Sequence, residues 1–173
     1  AARLTRSDAA RLPFPADRFD VLITIHVLHL VGAWRTALRD FKRVLKSTGV
    51  YINSWHWHDQ NSIDHKARQY WRDRIEARGF TWRRPGIQSR EELFAELKAM
   101  GAHVEEKEIA RGVDQTKPRE ILDGLTDRVF SDTWDLPDDV LSTTVRETHE
   151  RAEHELGNID QPVDEEYRLT LDI

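Results

Sequence analysis

The segment Phe19-Asp20-Val21-Leu22-Ile23-Thr24-Ile25 decides the fold of this chain. It is short, rich in β-branched residues and almost continuously apolar. That pattern is typical of a strand buried on both faces, as in a parallel sheet. Before it, the two prolines of Asp8-Ala9-Ala10-Arg11-Leu12-Pro13-Phe14-Pro15 exclude a regular helix or a central strand, so this stretch is predicted to be a loop.

The residues after this strand predict a βαβ unit. An amphipathic helix is indicated by apolar residues that recur with the period of one helix face: Trp34, Ala37, Leu38, Phe41, Val44 and Leu45. We expect Lys46 to lie at the end of this helix and Gly49 to terminate it. A second strand follows at Val50-Tyr51-Ile52-Asn53-Ser54-Trp55. Strand, helix and strand in this order imply a right-handed crossover between parallel strands.

The rest of the chain continues the α/β pattern. Helices are predicted over residues 62–78, from the capping box Ser89-Arg90-Glu91-Glu92 to Gly101, and over 118–130 and 137–156. Strands are predicted near residues 103–110 and 166–172.

Composition narrows the class of protein. Hydrophobic residues make up 39% of the chain, with 6 Trp and 6 Phe, which is enough for a packed core. The absence of cysteine excludes disulfides, thiolate metal sites and cysteine nucleophiles. No apolar run has the length of a membrane span, and Ala1-Ala2-Arg3-Leu4 shows no signal-peptide pattern. We therefore expect a cytoplasmic protein with no membrane partner.

Charge is distributed unevenly. The net charge of −5 gives no global case for nucleic acid as a partner. Residues 132–173 hold thirteen acidic and three basic side chains, whereas residues 1–131 hold an excess of basic ones. The acidic end is expected either to lie against the basic part or to keep the protein soluble.

The ordered motifs of residues 7–52 resemble a known superfamily. They are Asp8-Ala9-x-x-Leu12-Pro13-Phe14, Phe19-Asp20-Val21, His26-Val27-Leu28-His29, Trp34-Arg35-x-Ala37-Leu38 and Arg43-Val44-Leu45-Lys46-x-x-Gly49. Together they resemble the class I S-adenosylmethionine-dependent methyltransferases, closest to the group that methylates small molecules and quinone or lipid precursors. One departure is Ser47-Thr48, where this group often has Pro-Gly.

The resemblance implies a Rossmann-like sheet of seven strands in the order 3-2-1-4-5-7-6, with strand 7 antiparallel. On that template this chain supplies only strands 4–7 and their helices. The glycine-rich turn after strand 1 and the acidic residue that ends strand 2 have no counterpart in the sequence, whose glycines give no G-x-G. Residues 1–173 are therefore interpreted as the C-terminal part of a single methyltransferase domain, with a helical substrate-cap insertion around 111–160. This part alone is expected to be inactive.

The resemblance also implies a cofactor site for S-adenosylmethionine. Asp8 and Ala9 match the adenine-binding position, where a carboxylate accepts from the amino group and a backbone N–H donates to a ring nitrogen. Ile25 and His26 match the strand end that lines the methionine part of the cofactor, because ligands of open α/β sheets bind beyond the carboxyl ends of the strands. His29 is a candidate general base, or else packs beneath the helix as in relatives.

A second group of candidate residues follows the next strand. Trp55, His56 and His58 are predicted to line the substrate pocket, with the two histidines on one side of an extended chain. The alternative is a tryptophan-rich packing corner. The metallo-hydrolase pattern H-x-H-x-D-H fails at Gln60 and Asn61, so no metal is predicted.

Three functions remain open from the sequence. The leading one is methyl transfer to a small-molecule substrate. The second is an RNA methyltransferase that uses the basic stretch Lys66–Arg84, although its charges also fit the solvated side of a helix. The third is a non-catalytic scaffold subunit. A homo-oligomer is possible through the edge of the strand at 19–25.

Overall fold

The computed structural model describes residues 3–58, 61–81 and 85–173, apart from the side chains of 55–58. In chain order the strands and α-helices are β1 (Phe19–Ile25), α1 (Trp34–Val44), β2 (Leu45–His58), α2 (Ile63–Glu76), α3 (Arg90–Ala99), β3 (Glu106–Thr116), α4 (Pro118–Thr126), α5 (Asp138–Leu156) and β4 (Val163–Asp172). Short 3₁₀ turns cover Leu28–Leu30 and Ser131–Thr133.

The four strands form one sheet in the order β1-β2-β4-β3. β1 and β2 are parallel, with Val21 opposite Val50 and Ile25 opposite Ser54. Glu105 and Ile173 exchange two backbone hydrogen bonds of 2.8 Å, which is the pattern of an antiparallel pair. This order is the 4-5-7-6 sector of the methyltransferase sheet, so the predicted fold class is confirmed.

The chain divides into two compact units, which we name the sheet unit and the helical unit. The sheet unit comprises residues 1–56, 84–109 and 169–173, and the helical unit comprises 57–83 and 110–168. The core of the sheet unit is built by buried side chains of the 28–30 turn, α1 and α3: Leu28, Trp34, Ala37, Leu38, Phe41, Ile87 and Leu93. The predicted apolar face of α1 is therefore the face that is buried.

The core of the helical unit lies among α2, α4 and α5. Its buried side chains are Trp71, Ile75, Leu122, Leu125, Leu141, Val145 and Ile159. Trp71 is fully buried, and its indole N–H donates to the hydroxyl of Thr144 at 3.1 Å, so the polar atom of this large side chain is satisfied. The predicted insertion at 111–160 begins inside β3 and omits α2, so its bounds differ from those of this unit.

The prediction that Gly49 ends the first helix is wrong. α1 ends at Val44, and the backbone at Leu45 is already extended. Lys46 lies in β2, where its ammonium pairs with Asp20 at 2.7 Å. The pairing register shifts between Phe19 and Val21, because β2 carries extra residues there. A Cβ on Gly49 would lie 2.9 Å from the Lys46 carbonyl oxygen, so glycine serves a tight bend and not a helix end.

The prediction that strand 19–25 is buried on both faces is also wrong for this chain. Val21, Ile23 and Ile25 are 48%, 58% and 66% exposed, whereas Thr24 on the opposite face is buried. β1 is the outermost strand of the sheet, and its exposed face is covered by no element in the described part of the chain. An apolar edge of this kind is open to pairing with another strand.

The remaining boundaries differ by a few residues. β3 begins at Glu106 instead of 103 and extends to Thr116, and α4 ends at Thr126 instead of 130. The predicted cap of α3 is confirmed, since the Ser89 hydroxyl accepts the N–H of Glu92 at 3.3 Å. None of the described helices has both the length and the apolar character needed to cross a bilayer.

Candidate cofactor and substrate site

The loop at Asp8 is folded on itself. The Asp8 carboxylate accepts the N–H of Ala10 at 2.9 Å, and its backbone carbonyl accepts the N–H of Arg11 at 3.0 Å. The side chain is exposed, so the hydrogen bond to Ala10 orients a carboxylate that still faces solvent. Ala9 is half-buried and packs against the same cluster as Leu28, which follows β1.

Two residues of α1 hold this loop in place. Asp40 accepts the N–H of Leu12 at 2.6 Å, and Arg43 donates to the carbonyl of Phe14 at 2.7 Å. Arg43 also bonds Asp40 at 2.7 Å. The Arg43 guanidinium holds the pKa of the Asp40 carboxyl below its usual range, and Asp40 raises the pKa of Arg43. Neither residue was predicted from the sequence to belong to the site. Opposite charges at i and i+3 were the available signal.

The turn after β1 is fixed by main-chain contacts. His26 has φ of 47°, an uncommon conformation for a residue with a side chain. The carbonyls of Leu28 and His29 accept the N–H groups of Ile87 and Gly86 at 3.3 and 3.0 Å. A Cβ on Gly86 would lie 2.0 Å from the Leu28 carbonyl oxygen, so only glycine allows this approach. The backbone carrying His29 is therefore clamped in position.

A buried polar network supports the sheet next to this turn. The Thr24 hydroxyl lies 2.6 Å from the Tyr51 hydroxyl and donates to Asn53 at 2.9 Å. Asn53 in turn donates to Asp172 at 3.3 Å, and Asp172 accepts from Arg90 at 2.9 Å. Burial raises the pKa of Tyr51, which stays a neutral hydroxyl. The network ties β1, β2 and β4 together one residue before the candidate cofactor contact at Ile25.

The predicted site residues fall into two groups in the structure. Asp8 and Ala9 lie in the loop that precedes β1. Ile25 and His26 are exposed at the carboxyl end of β1, and His29 is half-buried in the turn that follows. The side chains of Trp55, His56 and His58 lie outside the described residues, so their predicted place in a substrate pocket stays a prediction. No cluster of three metal-binding side chains occurs in the described ranges.

A cavity of the sheet unit lies elsewhere. It has a volume of about 690 Å³ and is lined by α1, the amino half of β2 and residues 100–105. Ile25 and His26 stand at the carboxyl end of the parallel strands, where ligands of such sheets bind. We therefore place the candidate site at the strand end and not in this cavity.

Three arginines of the basic stretch 66–84 are paired with acidic residues, which corrects the interpretation of these side chains as simply solvated. Arg68 and Arg72 donate to the fully buried carboxylate of Asp132 at 3.2 and 2.9 Å. Arg78 pairs with Glu147 at 2.5 Å. The acidic end of the chain thus lies against the basic part, which is one of the two predicted arrangements.

The comparisons with known proteins agree with this geometry. Residues 2–53 match the family model described as a methyltransferase domain. The structure is similar to the YcgJ protein from Bacillus subtilis, with 18% identity and a TM-score of 0.51, over 99% of this chain and 70% of that one. It is also similar to a putative methyltransferase from Bacillus halodurans, with 15% identity and a TM-score of 0.51, over 96% of this chain and 68% of that one.

Identities this low establish the fold alone, and a comparison with curated protein sequences finds no match. The family match covers the same residues as the ordered motifs, and the strand order is the expected sector of the family sheet. The chain therefore has a Rossmann-like methyltransferase fold, and its residues 2–53 resemble a methyltransferase domain.

Proposed function

We propose that this protein transfers a methyl group from S-adenosylmethionine to a small-molecule acceptor. The observation that carries the proposal is the oriented, solvent-facing carboxylate of Asp8 in a loop that α1 fixes in place. A methyltransferase family match over the same loop supports it.

The residues present fit the adenine and methionine ends of the cofactor. One carboxylate oxygen of Asp8 is held by Ala10, which leaves the other able to accept from an adenine amino group. In this proposal the N–H of Ala9 donates to a ring nitrogen. The exposed backbone at Ile25 and His26 borders the methionine part, at the strand end where such ligands bind.

The chemical task left to the protein is mainly alignment. When bound, S-adenosylmethionine supplies a methyl group already activated on a sulfonium. A bond forms from the acceptor atom to the methyl carbon while the carbon–sulfur bond breaks, and S-adenosylhomocysteine leaves. An acceptor that carries a proton gives it up to a base. We propose His29 for that role, because Gly86 fixes its backbone beside the cofactor end of β1.

A small-molecule acceptor is favoured over RNA by the charge pairing of α2. The arginines at 68, 72 and 78 already have carboxylate partners, so they are not available to phosphates without breaking these pairs. We propose that Trp55, His56 and His58 line the acceptor pocket.

The test is calorimetric titration of the full-length protein with S-adenosylhomocysteine. Asp8→Ala should weaken binding by about 1–2 kcal/mol, the scale of one hydrogen bond to a charged group. Asp114→Ala, at an exposed position of β3, is the matched control and should bind as the wild type does. Equal affinities for Asp8→Ala and wild type would contradict the assignment of Asp8.

The acceptor class is tested separately with radiolabelled S-adenosylmethionine. Label should appear in small molecules of a cell extract and not in its RNA. If transfer requires RNA, and charge reversal at Arg83 and Arg84 abolishes it, the small-molecule proposal is wrong.

A further inference from the structure

The helical unit contains a groove of its own. A cavity of about 350 Å³ opens where α2, α4 and α5 meet. This volume falls at the lower end of the roughly 300–1,000 Å³ of small-molecule sites. Small side chains leave this space, since Ala67 of α2 and Ala152 of α5 both line it. Every lining residue belongs to the helical unit.

The inner part of the groove is apolar. Leu122 and Thr148 are buried there, and Ile63 and Leu156 line it further out. The Thr148 hydroxyl donates to the carbonyl of Thr144 at 2.7 Å, so this polar group is already satisfied within α5. A ligand in this part would gain binding free energy by burying apolar surface. It would not need to form a hydrogen bond with the Thr148 hydroxyl.

Most of the charged groups at the rim already have a hydrogen-bond or ion-pair partner. Arg151 pairs with Glu155 at 2.6 Å and also lies over the Tyr70 ring at 4.4 Å. Asp73 accepts from Gln69 at 2.9 Å. Lys66 is different: it is exposed, lines the groove and has no acidic partner in the described part of the chain.

The amino end of α2 does not add an anion site. The first N–H of that helix, at Ile63, already donates to the Glu165 carboxylate. Of the lysine and arginine side chains that line the groove, Lys66 is therefore the one without an acidic partner in the described ranges.

We propose that this groove binds a small monocarboxylate with an apolar body, such as a medium-chain fatty acid. The body lies on Ala67, Leu122 and Ala152, and the carboxylate meets Lys66 at the rim. An apolar floor favours an apolar ligand, and Lys66, which has no acidic partner among the described residues, favours one negative charge at the rim. This site is separate from the methyl-transfer proposal and does not depend on it.

The experiment titrates the whole protein with octanoate and follows alanine methyl groups by NMR. Saturable shifts are expected at Ala67 and Ala152. Octylamine has the same tail and the opposite charge, so it should bind more weakly. Butyrate keeps the charge and loses most of the tail, so it should bind more weakly too. Equal binding of octanoate and octylamine, or shifts at residues outside the groove, would overturn the proposal.

Two pairs of variants separate the tail from the charge. Ala152→Phe fills the groove and should abolish saturable binding, while the same change at exposed Ala95 of α3 should leave it intact. Lys66→Gln should weaken octanoate binding about threefold, the scale of an exposed ion pair, and should not affect octylamine adversely. Lys98→Gln is its control. If Ala152→Phe fails to fold, the test rests on Lys66→Gln. An octanoate affinity of Lys66→Gln equal to that of the wild type would refute the site.

Discussion

Removing the Arg90 side chain should destabilise the protein far more than removing a surface arginine. Asp172 has a side chain only 1% exposed, and it accepts from both Arg90 and Asn53. Arg90→Ala leaves this carboxylate buried with Asn53 alone. Loss of one partner of a buried pair costs about 3–5 kcal/mol. We expect about 3 kcal/mol, the low end of that range, because the Asn53 hydrogen bond remains.

The assay is urea unfolding of the full-length protein, followed by tryptophan fluorescence. A lower midpoint with an unchanged slope reports a change in the free energy of unfolding alone. The control is Arg39→Ala, because Arg39 is 65% exposed and lies 3.6 Å from Glu96, so its loss should cost less than about 1 kcal/mol.

A double variant separates the buried charge from lost packing. Arg90→Met with Asp172→Leu removes both charges, so it should be more stable than Arg90→Ala. If Arg90→Ala costs no more than the Arg39 control, the claim that Asp172 depends on Arg90 is refuted.

Three further predictions concern the loop, the turn and the open edge. The hydrogen bond from Arg43 lowers the pKa of Asp40. Its contribution to the free energy of unfolding is therefore fully present above the ordinary aspartate pKa of about 4 and is lost as the pH falls through the lowered value. In urea unfolding at a series of pH values, Asp40→Asn should lose less stability than the wild type does on acidification. Gly86→Ala should lower the unfolding midpoint and the affinity for S-adenosylhomocysteine together, since its Cβ would collide with the Leu28 carbonyl. Residues 1–173 expressed alone should self-associate in analytical ultracentrifugation, and Ile23→Lys should reduce that association; a monomer that binds S-adenosylmethionine tightly would contradict both.

The βαβ unit was predictable because its signals are local. Apolar residues at the helical period between two β-branched runs specify strand, helix and strand whatever surrounds them. The role of Gly49 was predicted wrongly because the signal there is local too. A glycine after a helical pattern predicts a helix end, and the sequence does not distinguish that from a glycine needed by a bend inside a strand.

The burial of β1 was not predictable from its own residues. An apolar run such as Val21 to Ile25 shows that both faces favour burial, but the covering elements lie elsewhere in the sequence or outside it. Asp8 is predicted as a site residue because an ordered set of motifs accompanies it. Asp40 and Arg43 were missed because charged residues opposite an apolar helix face are usually solvated, and their partners in the loop lie about 28 residues away.

The structure shows ion pairs between the basic stretch 66–84 and the acidic segment 132–173. A basic stretch with aromatic residues, at 66–84, is also what a nucleic-acid surface requires, and the sequence alone leaves both interpretations open. Two short ion pairs in the structure bear on this choice. Arg68 and Arg72 share one buried carboxylate, Asp132, which comes from the first part of the acidic segment. Both arginines are half-buried, and recruiting them to phosphates would leave the buried Asp132 carboxylate without these partners, at a cost of several kcal/mol. Two arginines of the basic stretch are therefore already engaged by a carboxylate of the acidic segment, which weakens the argument for RNA as the acceptor.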